Sequence, residues 1–162
     1  MVFPSGQLSQ MRVRGFQYHR VIRFNETDAA GVVYFANLLT LCHEAYEASL
    51  GAAGFNLGLF FSRDSSVAVP IVHTESDFYQ PLGCGDAIAI FLTPKQLTPH
   101  SFEVSYSLYH QDHIAQASNP TNKAVVRALT RHMCINPQTR RRQPLTAELT
   151  DWITSNAEPP AS

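Results

Sequence analysis

Cysteine is scarce in this chain of 162 residues: Cys42, Cys84 and Cys134 stand far apart. An odd number without CxxC or CxxH spacing supports neither a disulfide framework nor a zinc site. Reduced thiols fit a cytoplasmic location. Long apolar runs are missing too. Nothing approaches the ~20 apolar residues that a membrane helix needs. The opening MVFPSGQLSQMRVRG has no apolar stretch of the kind a secretory signal carries. Charge of one sign is also lacking, because 12 Lys and Arg face 13 Asp and Glu for a formal net charge of −1. A broad basic surface for nucleic acid or acidic membrane is therefore not expected. No G-x-S-x-G elbow occurs, and Ser, His and Asp show no hydrolase spacing, so a serine triad is unsupported. Internal repeats and low-complexity linkers are absent as well.

The length suits one domain with a real core. Residues 1–15 read as a flexible leader, in which Met11 is an alternative start. Residues 16–155 read as a single domain, and 156–162 as a loose tail. Phe16 to Asn25 has the aromatic and β-branched content and the alternation of a strand. The period then changes. Phe35, Leu38, Leu39, Cys42, Ala45, Tyr46, Ser49 and Leu50 recur at helical spacing, with Asn37, Thr40, Glu44 and Glu47 on the other side. This is an amphipathic helix of about four turns, stopped by Gly51 and Gly54. FNLGLFFSRDSS fits either a short helix or a covering loop. Four β-rich segments follow: SVAVPIVHTESDFY, with Pro70 marking an edge or a bulge, GDAIAIFLTPKQL, SFEVSYSLYH and AVVRALTRHMCIN. TAELTDWITSN reads as a short C-terminal helix. Strand, long helix, then four hairpin-connected strands predicts an α+β domain, with an antiparallel sheet wrapped around one long central helix.

TDAAGVVYFAN, residues 27–37, lies between the first strand and the long helix. With that context it resembles the 4-hydroxybenzoyl-CoA thioesterase-like branch of the hotdog-fold acyl-CoA thioesterases. The similarity runs from about Tyr18 to Asn136. Within the branch, VVYFANLL, CHEAYEASL, ALTRHMCIN and VPIVHTESDFYQPLGCGD are most similar to the cyanobacterial and plastid 1,4-dihydroxy-2-naphthoyl-CoA thioesterases of phylloquinone synthesis. The Tol-Pal-associated short-chain thioesterases usually carry His where this chain has Phe35. The resemblance implies an acyl-CoA substrate, hydrolysis without metal or redox cofactor, and a homotetramer built from hotdog dimers with sites between subunits.

Thioester hydrolysis needs a nucleophile or an activated water, and a group that stabilises charge on the carbonyl oxygen. The resemblance gives the first role to Asp28, as nucleophile or general base. On local sequence alone, an Asp before a helix is also read as a cap or an Asx-turn. Ala29, Ala30, Gly31 and Val32 follow it, and the small side chains let a ligand approach the backbone. The helix start then offers a backbone N–H near Tyr34 or Phe35 as oxyanion donor. Glu44 is the rival acid, on a face that otherwise reads as solvated or as an interface. Asn37 is a candidate for ordering the loop or a water, and for binding the substrate. Tyr34, Phe35, Phe60, Phe61 and Tyr79 are candidate walls for a flat aryl group, each with a core reading beside it. His73, Glu75 and Asp77 share one strand face, either at a pocket mouth or at a subunit contact. Arg127, Arg131 and Arg140 to Arg142 are candidates for CoA phosphates, the last run reading equally as a solvated turn. Two other outcomes stay open: an aryl- or short-chain acyl-CoA thioesterase, and an acyl-CoA-binding hotdog module without turnover. A hotdog dehydratase needs a His–acid pair that is not evident.

Overall fold

The computed structural model describes residues 15–114 and 123–157; most of the expected leader, residues 115–122 and the end of the expected tail lie outside the described residues. The element order is β1 (Phe16–Val21), a 3₁₀ turn (Phe24–Glu26), a second 3₁₀ turn (Phe35–Asn37), α1 (Leu38–Ala52), α2 (Leu57–Phe60), β2 (Ile71–Phe78), β3 (Ala87–Thr98), β4 (Ser101–His110), α3 (Gln111–Ile114), β5 (Val126–Met133) and α4 (Ala147–Asn156). The described strands form one five-stranded sheet in the order β1-β3-β4-β5-β2. Every neighbouring pair is antiparallel. This is the sheet around a central helix that the pattern predicts. No helix among the described residues is long and apolar enough to cross a membrane.

The helix packs through Leu38, Leu41, Cys42, Ala45, Tyr46 and Leu50. Facing them are Ile88, Ile90 and Leu92 of β3 and Phe102, Val104, Tyr106 and Leu108 of β4. Each fully buried aliphatic side chain contributes about 1.5–3 kcal/mol relative to exposure. α4 starts at Thr146, whose Oγ1 accepts the Leu149 N–H at 3.3 Å. It sets Trp152 edge-on to Tyr46 and Phe102.

Three local departures have physical causes. The first strand stops at Val21, not Asn25, because the Glu26 carboxylate accepts the Arg23 N–H at 2.7 Å and turns the chain. The long helix begins with a 3₁₀ turn, which swings Phe35 out of the helical stripe to 66% exposure, while Leu41 takes a core position. Gly51 lies within α1, and the stop comes at Gly54, whose φ of +91° suits glycine. Pro70 immediately precedes β2, an edge strand whose register shifts between Ile71 and His73, so both the edge and the bulge are present. The undecided segment after α1 contains the short helix α2, capped by Asn56.

A buried polar chain crosses this core. The His132 ring stacks on Phe102 with centroids 4.7 Å apart. Its Nδ1 lies 3.0 Å from the Val69 carbonyl and its Nε2 lies 2.9 Å from Thr130 Oγ1. A carbonyl only accepts, so Nδ1 carries the proton and Nε2 accepts from the Thr130 hydroxyl. Burial lowers the His132 pKa to about 4, and the nearby His43 adds to the depression against the Val69 hydrogen bond. Between pH 6.5 and about 4 the unfolded chain therefore binds the proton before the folded chain does. Stability is flat in this group above pH 6.5 and falls below it, by at most about 3 kcal/mol at the acid end. Urea unfolding at pH 7.5, 6.5, 5.5 and 5 is expected to show the midpoint dropping across the last three. His132→Gln is expected to flatten that drop while lowering stability at pH 7.5.

Candidate active site

Between the first strand and α1 the chain makes a small closed loop. Thr27 bridges to Val33, and the Asp28 N–H donates to the Val32 carbonyl at 2.9 Å. The Gly31 N–H returns to the Asp28 carbonyl at 2.9 Å, which closes a four-residue turn. Gly31 adopts φ +77° there, with open space where a side chain would start, so only backbone strain restricts this position to glycine. Asp28 Oδ1 accepts the Ala30 N–H at 2.8 Å. The Asx-turn reading of Asp28 is thus correct as geometry. It engages one carboxylate oxygen and leaves the other without a partner among the described residues.

Asp28 lines a cleft of about 420 Å³, within the size range of small-molecule sites. Val32 and Phe35 come from the loop and the helix entrance, and Leu38 from the first turn of α1. Phe78, Tyr79, Gln80 and Leu82 come from the end of β2 and the connection to β3. Two contacts bring these distant segments together: the Val33 N–H donates to the Leu82 carbonyl at 2.7 Å, and Val32 bridges to Gly83. The walls are mostly apolar, and the carboxylate sits among them.

The helix entrance decides which N–H groups are available. The Tyr34 N–H donates to the Glu26 carbonyl at 2.9 Å, so it is not a free oxyanion donor. The Phe35 and Ala36 N–H groups find no acceptor among the described residues. They stand at the positive end of the helix backbone. Of the two donors expected from sequence, Phe35 remains and Tyr34 is spent on holding the loop. Asn37 has a related role. Its Nδ2 donates to the same Glu26 carbonyl at 3.0 Å, which makes it a loop brace, and it is not among the residues lining the cleft.

Glu26 and Arg20 were not legible as site residues. Glu26 is 8% exposed, and its carboxylate accepts both the Arg20 guanidinium and the Arg23 N–H. Arg20 also binds Glu44 of α1. The rival acid Glu44 is therefore committed to an ion pair and does not line the cleft. Sequence offered one faint signal, an arginine on the inward side of β1. Gln80 was missed too, since nothing in YQPLG marks it as a wall. The other expected positions lie elsewhere. Phe60 and Phe61 pack in an aromatic group with Phe55, and Phe61 also meets Tyr46 of α1. His73 lies on β2 beside Glu75. Arg131 pairs with Glu103 across the sheet, and Arg140 to Arg142 sit exposed in a turn braced by Asn136. Within one chain, the structure gathers Asp28, Val32, Phe35 and Tyr79, flanked by Gly31, and leaves Phe60, Phe61 and His73 outside this cleft.

The sequence pattern that defines the thioesterase-like superfamily matches residues 22–153. The chain belongs to that superfamily. Its similarity to 1,4-dihydroxy-2-naphthoyl-CoA hydrolases is close: the protein of Rippkaea orientalis is 51% identical over 143 residues, covering 87% of this chain and 98% of the relative. That of Crocosphaera subtropica is 48% identical over 141 residues, covering 87% and 97%. The crystal structure of a 1,4-dihydroxy-2-naphthoyl-CoA thioesterase from Synechocystis superposes with a TM-score of 0.76 at 33% identity, covering 89% of this chain and 98% of that one. The fold is accordingly the hotdog fold of these enzymes.

In this thioesterase the Phe35 ring and the Phe35 N–H are separable by mutation. Tyr34 already has the extended backbone (φ −64°, ψ 129°) that a following proline demands, and proline is tolerated at the first position of a helical turn. Phe35→Ala keeps the donor and loses the ring. Phe35→Pro loses both. The proline variant is expected to show kcat for thioester hydrolysis about 10²–10³ lower than the alanine variant, the usual cost of one oxyanion donor. Equal kcat values in two folded variants would remove Phe35 N–H from the chemistry.

Proposed function

We propose that this thioesterase hydrolyses 1,4-dihydroxy-2-naphthoyl-CoA to 1,4-dihydroxy-2-naphthoate and CoA, the hydrolytic step of phylloquinone synthesis. One observation carries the chemistry: Asp28 and Phe35, whose N–H has no acceptor among the described residues, line a single apolar cleft. Relatives of that activity at about half identity support the choice of acyl group. The flat aryl ring lies between Phe35, Phe78 and Tyr79, and the thioester carbonyl points its oxygen at the Phe35 N–H. Asp28 acts through the free oxygen of its carboxylate, either on the carbonyl carbon or on the attacking water.

Two routes share this geometry. In one, Asp28 attacks the carbonyl carbon, the C–S bond breaks, CoA leaves as thiolate, and water hydrolyses the resulting anhydride. In the other, Asp28 removes a proton from water as that water attacks, and the proton passes on to the departing sulfur. In single turnover in ¹⁸O water, label in Asp28 identifies the first route, with water attacking the Asp28 carbonyl of the anhydride, since the second never puts label there. Neither route requires a metal or redox cofactor.

The exposed edge of the sheet supports a homodimer. Among the described residues β2 pairs only with β5 and leaves its other side open, with Val72, Phe78 and Tyr79 exposed along or just beyond it. Such an edge is ready to pair with a second copy. Antiparallel pairing of two β2 strands sets the His73 end of one beside the Phe78 end of the other. This brings His73 to the mouth of the partner's cleft. Two such dimers form the tetramer we propose, working in the cytoplasm.

The test is release of CoA thiol from dihydroxynaphthoyl, hydroxybenzoyl, and short and long aliphatic thioesters, by wild type and by Asp28→Asn. The naphthoyl ester is expected to lead by about 100-fold in kcat/KM, roughly 2.7 kcal/mol of transition-state preference. Asp28→Asn is expected to lose turnover while staying folded. A lead by another ester overturns the acyl assignment alone. Acyl-CoA binding without CoA release makes the chain a binding module. Light scattering is expected to give a multimer, and a monomer would overturn the site between subunits.

A further inference from the structure

The loop that carries Asp28 is held from both ends by one residue. The Glu26 carbonyl accepts the Tyr34 N–H at 2.9 Å and the Asn37 side-chain amide at 3.0 Å, which ties residue 26 to the entrance of α1. The Glu26 carboxylate accepts the Arg23 N–H at 2.7 Å and the Arg20 guanidinium. Arg20 stands on β1, its side chain 7% exposed, and reaches Glu44 on α1 as well. Strand, loop and helix therefore converge on Glu26. Asp28 lies two residues beyond it, and the Phe35 N–H lies one residue beyond the Tyr34 N–H that Glu26 holds. The separation between the carboxylate and the oxyanion donor is set through this node.

We propose that Glu26, oriented by Arg20, is the positioning residue that fixes Asp28 relative to the Phe35 N–H, with Asn37 acting through the same carbonyl. This rests on the reading of Asp28 and Phe35 N–H as the reacting pair. Glu26 touches neither substrate nor reacting atoms; it acts through the loop. An error in this separation misaligns attack without altering the apolar walls that hold the aryl group. Its loss therefore falls on kcat, whereas KM, set by those walls, stays in place.

The test compares wild type, Asp28→Asn, Glu26→Ala, Glu26→Gln, Asn37→Ala and the double variant Glu26→Ala/Asn37→Ala on the naphthoyl thioester. Rates are expressed per folded molecule, from circular dichroism and thermal unfolding. Glu26→Ala and Asn37→Ala are each expected to lower kcat at least tenfold with KM within threefold. The double variant is expected to cost no more than the worse single one, because both act through one carbonyl. Glu26→Gln, which keeps one of the two acceptor oxygens that serve Arg20 and the Arg23 N–H, is expected to recover part of the loss. A readout independent of turnover is amide hydrogen exchange. The Tyr34 N–H is expected to exchange at least tenfold faster in Glu26→Ala, with the Leu108 N–H of β4 unchanged. Overturning results are a kcat within threefold of wild type, a loss wholly in KM, or unaltered Tyr34 exchange. If Asp28→Asn stays active, the reading of the site fails and takes this inference with it. If Asp28→Asn is inactive and Glu26→Ala is not, only this inference fails.

Discussion

The buried ion pair between Arg20 and Glu26 is the interaction on which the cleft depends. Two charges removed from water are favourable only where further hydrogen bonds complete them. Here the Arg23 N–H and the Glu44 carboxylate do so. Breaking such a pair by removing one partner typically costs about 3–5 kcal/mol. A hydrophobic pair of the same volume would fill the space as well. It would not direct a carbonyl at the Tyr34 N–H and the Asn37 amide. The ionic version trades desolvation for orientation, and orientation is what a site built on a loop needs.

Around that node the fold divides labour. The apolar faces of α1, β3 and β4 supply the core, and α4 closes it with Trp152. None of these residues except Leu38 reaches the cleft. The site is made where the chain leaves regular structure: the turn at Asp28, the 3₁₀ entrance to α1, and the connection after β2. Loops are free to vary, but here they are pinned by backbone bonds, notably Val33 to Leu82 and Tyr79 to Val125. A rigid scaffold thus holds a short, hydrogen-bonded loop beside an apolar wall. That arrangement suits a reaction that needs one acid and one or two fixed donors and little else.

The exposed aromatic residues follow the same division. Phe35, Phe78 and Tyr79 would be misplaced in a core, yet all three line the cleft, and Phe78 and Tyr79 also stand at the open sheet edge. Exposed apolar surface of this kind marks a place where something binds. In this chain that surface borders both the cleft and the open sheet edge, because the cleft opens at the end of the edge strand. The positive end of α1 and the aromatic walls would act on opposite ends of an aryl thioester.

The sequence by itself determined the order of strands and long helix, the antiparallel sheet and, through its resemblance, the family. These follow from periodicity, which depends on near neighbours in the chain, and from the 27–37 motif. It also placed Asp28, Val32, Phe35 and Tyr79 among the candidates that share the cleft. Only tertiary structure decided the rest. Arg20, Glu26 and Glu44 are spread over 25 residues, and no local pattern links them. Phe35 fits the helical stripe, yet a 3₁₀ turn rotates it outward because Glu26 captures the Tyr34 N–H just before it. The same bond decides which of two adjacent N–H groups is free. Phe60 and Phe61 read as pocket walls or core and lie outside the cleft, packed with Phe55 and Tyr46, since aromatic content carries no direction. Composition and period report which residues want burial or a given backbone. Which polar groups satisfy one another depends on where distant segments meet, and that is fixed only when the chain is folded.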